Sequence, residues 1–282
     1  SSRIESPTLL KTTVQDAMIR RFNNEALAPP RFIDVAGAQK VLARLDEDRL
    51  TLSLDSSGDL LHRRGWRRKS VAAPIRESLA AAILLAAGYD GAENLVDAMC
   101  GSGTFAIEAA LIAASVPPAI SAVEPRRFAF MDWPAFPAAA WNHMTGAFSG
   151  RSDADPAGNR ALIFARDIDP IAIEATRANA ASSTVRGHVA FEVADFFAAP
   201  PPCPPGLLVL NPPYGLRLDV DSSPAALYRR IARSMQSGWR DWRYAIVMPE
   251  AALARQWPIP AEHRMDFRHG GLDAIALIGK IP

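Results

Sequence analysis

Asn94-Leu95-Val96-Asp97-Ala98-Met99-Cys100-Gly101-Ser102-Gly103-Thr104-Phe105 is the stretch that decides the fold. It starts as a short apolar run of strand length, turns at two glycines, and continues from Phe105 to Ala114 as an apolar helical pattern. A buried strand that turns through glycines into a helix is the opening of a βαβ unit. Glycine lets the backbone bend tightly and approach a ligand, and the helix start leaves N–H groups free for a carboxylate or phosphate. A plain strand-to-helix turn uses glycines in the same way, so this stretch alone leaves its ligand open.

Downstream, short β-rich runs alternate with helical patterns, as in a parallel sheet covered by helices on both faces. Strands are predicted at Asn94–Ala98, Ala161–Ala165, Val189–Val193, Leu207–Leu210, Tyr244–Met248, Arg264–Arg268 and Ala274–Ile278, seven in all. The last two are split by His269-Gly270-Gly271, a hairpin signal that makes the final strand antiparallel. Between Asp169 and Ser182, Ile171, Ile173, Ala175 and Ala178 suit a helix opened by Pro170. A later helix is capped by Ser222 or Ser223, takes Pro224 in its first turn, buries Leu227, Ile231 and Met235, and turns Arg229, Arg230 and Arg233 outward. Residues 116–159, rich in Pro, Trp and Phe, read as an insertion in which Met131-Asp132-Trp133-Pro134 and Trp141 are packing anchors rather than substrate contacts.

The buried run Leu207-Leu208-Val209-Leu210 ends in Asn211-Pro212-Pro213-Tyr214-Gly215. A carboxamide, a carbonyl on a proline-stiffened turn and an aromatic ring at a strand tip can hold a flat, amine-bearing group edge-on. With the glycine turn at the end of another strand of the same sheet, the pair would set a cofactor and a planar substrate side by side in the crevice where open α/β sheets bind ligands.

Residues 1–70 differ in texture. An amphipathic helix near Thr12 to Phe22 precedes two alternating strands, Val41–Leu45 and Leu50–Leu54, joined by an acidic turn, the pattern of a small α+β module. Then comes His62-Arg63-Arg64-Gly65-Trp66-Arg67-Arg68-Lys69, the densest basic cluster in the chain. Guanidiniums around a ring could grip phosphate and stack on a base, and a solvated basic linker would look the same. Ala73-Pro74-Ile75-Arg76-Glu77 next opens a helix through Ala87 that Gly88 ends.

The 282 residues are 49% hydrophobic and 22% charged, an ordinary globular composition, and the net charge of +1 gives no global field for nucleic acid. A nucleic-acid partner would need a local patch. Cys100 and Cys203 cannot build a disulfide framework and no His/Cys spacing resembles a zinc site, so a reducing cytoplasm fits best and no metal is expected. The longest apolar stretch, Leu79 to Ala87, is about half the ~20 residues needed to span a bilayer, and no signal-peptide core is present.

Together these residues resemble the THUMP-domain-containing RNA guanine-N2 methyltransferases, relatives of the large-subunit ribosomal RNA enzymes. Leu54-Asp55-Ser56-Ser57-Gly58 through Leu61-His62-Arg63-Arg64-Gly65-Trp66-Arg67 is similar to the family's THUMP exit, and Ala73 to Ala81 to its junction helix. Asp97 to Thr104 resembles its cofactor loop and Asn211 to Gly215 its catalytic motif. The catalytic motif is shared by adenine, guanine and glutamine methylases; the THUMP exit makes the match specific. The resemblance begins about halfway into the THUMP module.

It implies a Rossmann-like class I methyltransferase domain over residues 71–282, preceded by a partial THUMP-like RNA-binding module over 1–70. It also implies S-adenosyl-L-methionine as donor and RNA as partner, ribosomal ahead of transfer RNA. Under that resemblance backbone groups from Asp97, Cys100, Gly101 and Gly103 face the methionine part, with Ser102 and Thr104 in the same cofactor-binding loop. Asp167 with Ile168 takes the ribose, with Asp169 the competing acid or a helix cap. Asp195 and Phe196 take the adenine, although Asp195 also suits an ordinary turn. Asn211, which also borders the cofactor, and the Pro212 carbonyl accept the hydrogens of the acceptor amine, and Tyr214 stacks on the base. Arg63, Arg64, Trp66, Arg67, Arg68 and Lys69 hold RNA, and Arg217 is either a phosphate contact or a surface arginine. Cys100 is a small packing residue, since nothing nearby in sequence lowers its pKa.

Overall fold

The computed structural model describes residues 4–33, 35, 38–70, 74–149, 161–213, 223–249 and 251–282. Tyr214, Gly215, Arg217, Ala73, Ser222 and the insertion beyond residue 149 lie outside them. The chain divides into two compact units, Ser1–Leu61 with Arg127–Ala139, and His62–Arg126 with Ala140–Pro282.

In the first unit, helix α1 (Pro7–Asn24) starts five residues earlier than its apolar pattern predicts. Ser6 caps it by accepting from the Leu9 N–H at 3.3 Å, and Pro7 suits the first turn. Strands β1 (Val41–Asp46) and β2 (Arg49–Leu54) form an antiparallel hairpin. Its turn residues Glu47 and Asp48 both have positive φ, as a two-residue hairpin turn requires. The segment 127–139 belongs to this unit, a placement the sequence did not signal. The Phe130 N–H donates to Ser56 O at 3.2 Å, and Trp133 Nε1 donates to Gln39 Oε1 at 2.7 Å. Trp133 remains 38% exposed and is held through this hydrogen bond.

The second unit contains, in chain order, α2 (Glu77–Ala86), β3 (Leu95–Asp97), α3 (Thr104–Ala113), all but the first two residues of α4 (Ala138–Ser149), β4 (Ile163–Asp167), α5 (Pro170–Ala181), β5 (Val189–Val193), β6 (Leu207–Leu210), α6 (Pro224–Gly238), β7 (Arg243–Met248), α7 (Ala251–Arg255), β8 (His263–His269) and β9 (Leu272–Lys280). The strands form one seven-stranded sheet in the order β5-β4-β3-β6-β7-β9-β8, all parallel except β9, which runs antiparallel to both neighbours. β9 turns back from β8 through Gly270 and Gly271, both at positive φ.

Alternate strand residues feed two cores. Leu95, Leu207, Val209, Ala245 and Val247 pack with α2 and α3. Val96, Leu208, Leu210, Ile246 and Met248 pack with α6 and the Trp239–Trp242 pair. A sheet with both faces covered needs the near-continuous apolar runs these strands have. From β3 the chain winds outward to β4 and β5, then crosses back to β6 on the other side of β3. That reversal leaves a crevice beyond the carboxyl ends of β3 and β6.

Candidate active site

A cavity of about 520 Å³ occupies this crevice. Its wall takes Ala98 to Ser102, Thr104 and Phe105 from the turn after β3, Asp167 to Asp169 after β4, Asp195 to Phe197 after β5, and Asn211 and Pro213 after β6. Pro74, Ile75, Ala172, Leu227 and Arg230 complete it. Four consecutive strand ends thus converge on one space, and ten residues singled out in the sequence as site candidates line it: Cys100, Gly101, Ser102, Thr104, Asp167, Ile168, Asp169, Asp195, Phe196 and Asn211.

The turn that opens the site is tied down on every side. The Cys100 N–H donates to Arg166 O at 2.9 Å and the Gly101 N–H to Asp167 Oδ2 at 2.9 Å. Thr176 Oγ1 donates to Gly101 O at 2.9 Å, and Asn179 Nδ2 to Ser102 O at 3.0 Å. Arg67 reaches Ser102 Oγ at 2.7 Å and Thr104 Oγ1 at 2.9 Å. A loop so constrained presents its outward groups in one geometry.

Three of the expected contact residues, Gly103, Asp97 and Pro212, are not among those that line the cavity. Gly103 is off the wall: its φ of +82° is left-handed, and a Cβ there would sit 2.4 Å from Thr176 Cγ2, so glycine serves the close approach of α3 to α5. Asp97 lies beneath the turn, 1% exposed, where Oδ2 accepts from the Ala106 N–H at 3.3 Å in the first turn of α3. Burial pushes its carboxyl up to about 8, with the neighbouring Asp167 adding to the rise. Pro212 is buried, and Pro213 lines the wall.

The acids on the wall divide their work. Asp169 caps α5 by accepting from the Ile171 N–H at 2.8 Å. Asp167 uses Oδ1 for the Asp169 N–H at 3.0 Å and Oδ2 for Gly101, which fixes its carboxylate at the end of β4. Asp195 accepts from the Phe197 N–H at 2.9 Å, so it is both a turn residue and a wall residue. Ile168 is 66% exposed, an apolar surface beside two carboxylates. Phe196 stacks on Trp239 at 5.8 Å. Asn211 Oδ1 is buried with no hydrogen-bond partner among the described residues. An unmet buried acceptor costs about 1–3 kcal/mol, so this oxygen is poised for a donor brought by a ligand. The Cys100 thiol is buried and pushed well up by burial, with Asp97 contributing, which suits packing and not nucleophilic attack.

The basic segment behaves differently from its RNA-binding expectation. Trp66 is fully buried and has no face for a base. Arg64, 8% exposed, forks onto Glu108 with two bonds of 3.1 Å, and burial still lifts the Glu108 carboxyl to about 7. Arg67 donates to Glu77 Oε1 at 2.8 Å while holding the turn. The N–H groups of Arg68 and Lys69 both donate to Asn179 Oδ1. Residues 64–69 are therefore a strap laced to α2, α3 and α5, and they belong to the second unit. Arg64, Trp66 and Arg67 are withdrawn as RNA contacts; Arg63, Arg68 and Lys69 remain exposed. Sequence reasoning missed Phe197, Leu227 and Arg230 on the wall, and Thr176 and Asn179 behind it.

The strand order, the lone antiparallel strand and a crevice built from a glycine turn, successive strand-end acids and an Asn-Pro-Pro tip define the class I methyltransferase fold. The family described as RMKL-like, methyltransferase domain, matches residues 64–261, and the chain belongs to it. It is 30% identical over 261 residues to a ribosomal RNA large subunit methyltransferase K/L of Shewanella baltica strain OS185, covering 92% of this chain and 36% of that protein. A protein of the same name from Saccharophagus degradans is 32% identical over 269 residues, 93% of this chain and 35% of the relative. The chain thus spans about a third of the length of these curated relatives. Among solved structures, SMU.472, assigned to the methyltransferases and crystallised with SAH, superposes with a TM-score of 0.81 at 24% identity, covering 99% of this chain and 72% of that one.

Proposed function

We propose that the chain transfers a methyl group from S-adenosylmethionine to the exocyclic N2 of a guanine in RNA, with large-subunit (23S) ribosomal RNA the leading substrate. The observation that carries this reading is the unmet, buried Asn211 Oδ1 on the same wall as the glycine turn. The wall suits the donor: the carboxylate of Asp167 can accept ribose hydroxyls, Asp195 an adenine amino group, and exposed Ile168 can cover an aromatic ring. When bound, S-adenosylmethionine supplies an electrophilic methyl on a sulfonium centre.

The chain's own work is alignment and exclusion of water. A guanine amine is a weak nucleophile because its lone pair is delocalised into the ring. Asn211 Oδ1, by accepting one of its hydrogens, fixes the amine and favours the positive charge that grows on nitrogen. The Pro212 carbonyl, next in the chain, is proposed to take the other hydrogen. No shifted general base is required, since the proton is lost after the nitrogen becomes cationic. The base must leave its stack to enter the cavity, at a cost of a few kcal/mol in a duplex and less in a loop. The first unit, read as a partial THUMP-like module, and exposed Arg63, Arg68 and Lys69 are proposed to contact RNA.

Nucleoside analysis after incubation with methyl-labelled S-adenosylmethionine and unmodified 23S ribosomal RNA, DNA and protein in parallel tests the acceptor. N2-methylguanosine is expected. Label in N6-methyladenine or in glutamine would replace the substrate, and no transfer alongside retained RNA binding would make the chain a non-catalytic module.

A further inference from the structure

We infer that the exposed face of α6 holds the phosphates next to the guanine that enters the cavity, with Arg230 as the first contact and Arg229 and Arg233 continuing the path. This rests on the RNA reading above. α6 contains no acidic residue, and Tyr228, Ile231, Ala232 and Met235 fill its buried stripe, leaving Arg229, Arg230 and Arg233 exposed on the other side. Arg233 stands three and four positions from the other two, so like charges sit one turn apart and repel by a few tenths of a kcal/mol per pair. Arg64 with Glu108 and Arg68 with Glu124 show the paired alternative in the same unit. None of these three has an ion pair among the described residues. A helix that tolerates such repulsion without internal acids is matched to an external polyanion.

The geometry at Arg230 narrows the ligand further. Its Cζ lies 3.7 Å over the centre of the Phe197 ring, and both residues line the cavity together with Asn211. Phe197 packs edge-on against Phe196 at 5.4 Å, and Phe196 stacks on Trp239, so the guanidinium rests on a fixed aromatic column. Stacking spends one flat face and does not consume the N–H edge, the fork that takes two phosphate oxygens at once. A base inserted toward Asn211 leaves its own backbone on the solvent side of the cavity, and Arg230 is a lining residue that is also solvent-exposed.

Binding of a transcribed, unmodified 23S ribosomal RNA fragment to the full chain, titrated from about 50 to 200 mM salt, tests the inference. Arg229→Gln/Arg233→Gln should weaken RNA binding several-fold at low salt and flatten the log K against log salt slope by about 2, while calorimetric affinity for S-adenosylmethionine stays within twofold. Arg230→Gln should raise the KM for RNA more than that for the donor, and Arg230→Lys, which keeps charge but not the stacked fork, should recover only part. An unchanged slope and RNA affinity in the double variant would overturn the inference even if the wild type methylates RNA. A loss in Arg230→Gln confined to the donor would reassign Arg230 to the cofactor. If the wild type binds RNA with the expected slope but methylates another acceptor, the guanine reading fails and the arginine face stands.

Discussion

Replacing Arg67 by methionine separates the strap from a surface RNA contact. The guanidinium is 17% exposed and its partner Glu77 5% exposed, 2.8 Å apart, with Ser102 Oγ, Thr104 Oγ1 and Ile75 O on its remaining N–H groups. Methionine keeps much of the apolar stem but strands a buried carboxylate. Removing one partner of a buried pair costs about 3–5 kcal/mol, whereas an exposed pair is worth at most about 1. For a chain of this size that lowers Tm by roughly 10 °C. The turn also loses two of its anchors, so affinity for S-adenosylmethionine should fall by about tenfold, or ~1.4 kcal/mol. Urea unfolding and calorimetry read both effects. Adding Glu77→Gln should recover part of the stability, giving a coupling of about 1–3 kcal/mol in the double-mutant cycle. A loss below 1 kcal/mol with intact donor binding and a raised KM for RNA alone would refute the strap and restore Arg67 to the RNA surface.

Gly103→Ala places a methyl against Thr176 Cγ2 at a left-handed φ, and should cost about 2 kcal/mol or more with weaker donor binding. Thr176→Ala in the same chain relieves the clash but not the backbone strain, so only part of the loss should return. Asp97→Asn addresses pH. The folded carboxyl titrates near 8 against 3.8 ordinarily, so the native state holds a proton that the unfolded chain releases, and stability falls as pH rises from about 4 to 8. The variant should lose less stability than wild type between pH 5 and pH 8 in urea unfolding. Parallel curves would show that Asp97 is not protonated in the native state.

The sheet was legible because each strand is a compact apolar run ending in a turn signal; Val189–Val193 and Leu207–Leu210 match their expected bounds residue for residue. The place of β9 between β7 and β8 was not stated, although its signal exists. Ala274 to Ile278 is apolar on both faces, as a central strand must be, while His263 to His269 alternates, as an edge can. The strap was illegible for a different reason. Arg64 and Arg67 read as a free basic cluster because their acids, Glu108 and Glu77, sit on helices that only the tertiary fold brings alongside. Asn211, Asp167 and Asp195 could be found because strand ends of a doubly wound sheet converge. Gly103 and Asp97 looked like ligand contacts because a turn that cradles a ligand and one that packs two helices carry the same residues. Arg230 was read correctly as outward, but its nearness to the cavity depends on Phe197 at the end of another strand.

The most direct measurement is a paired one on Asn211→Ala: calorimetric affinity for S-adenosylmethionine and single-turnover methyl transfer to unmodified 23S ribosomal RNA. With Asn211 Oδ1 serving the acceptor amine, transfer should fall by about 10²–10³-fold while donor affinity changes only a few-fold. Equal losses in both would place the carboxamide on the donor, and transfer at the wild-type rate would remove it from the chemistry.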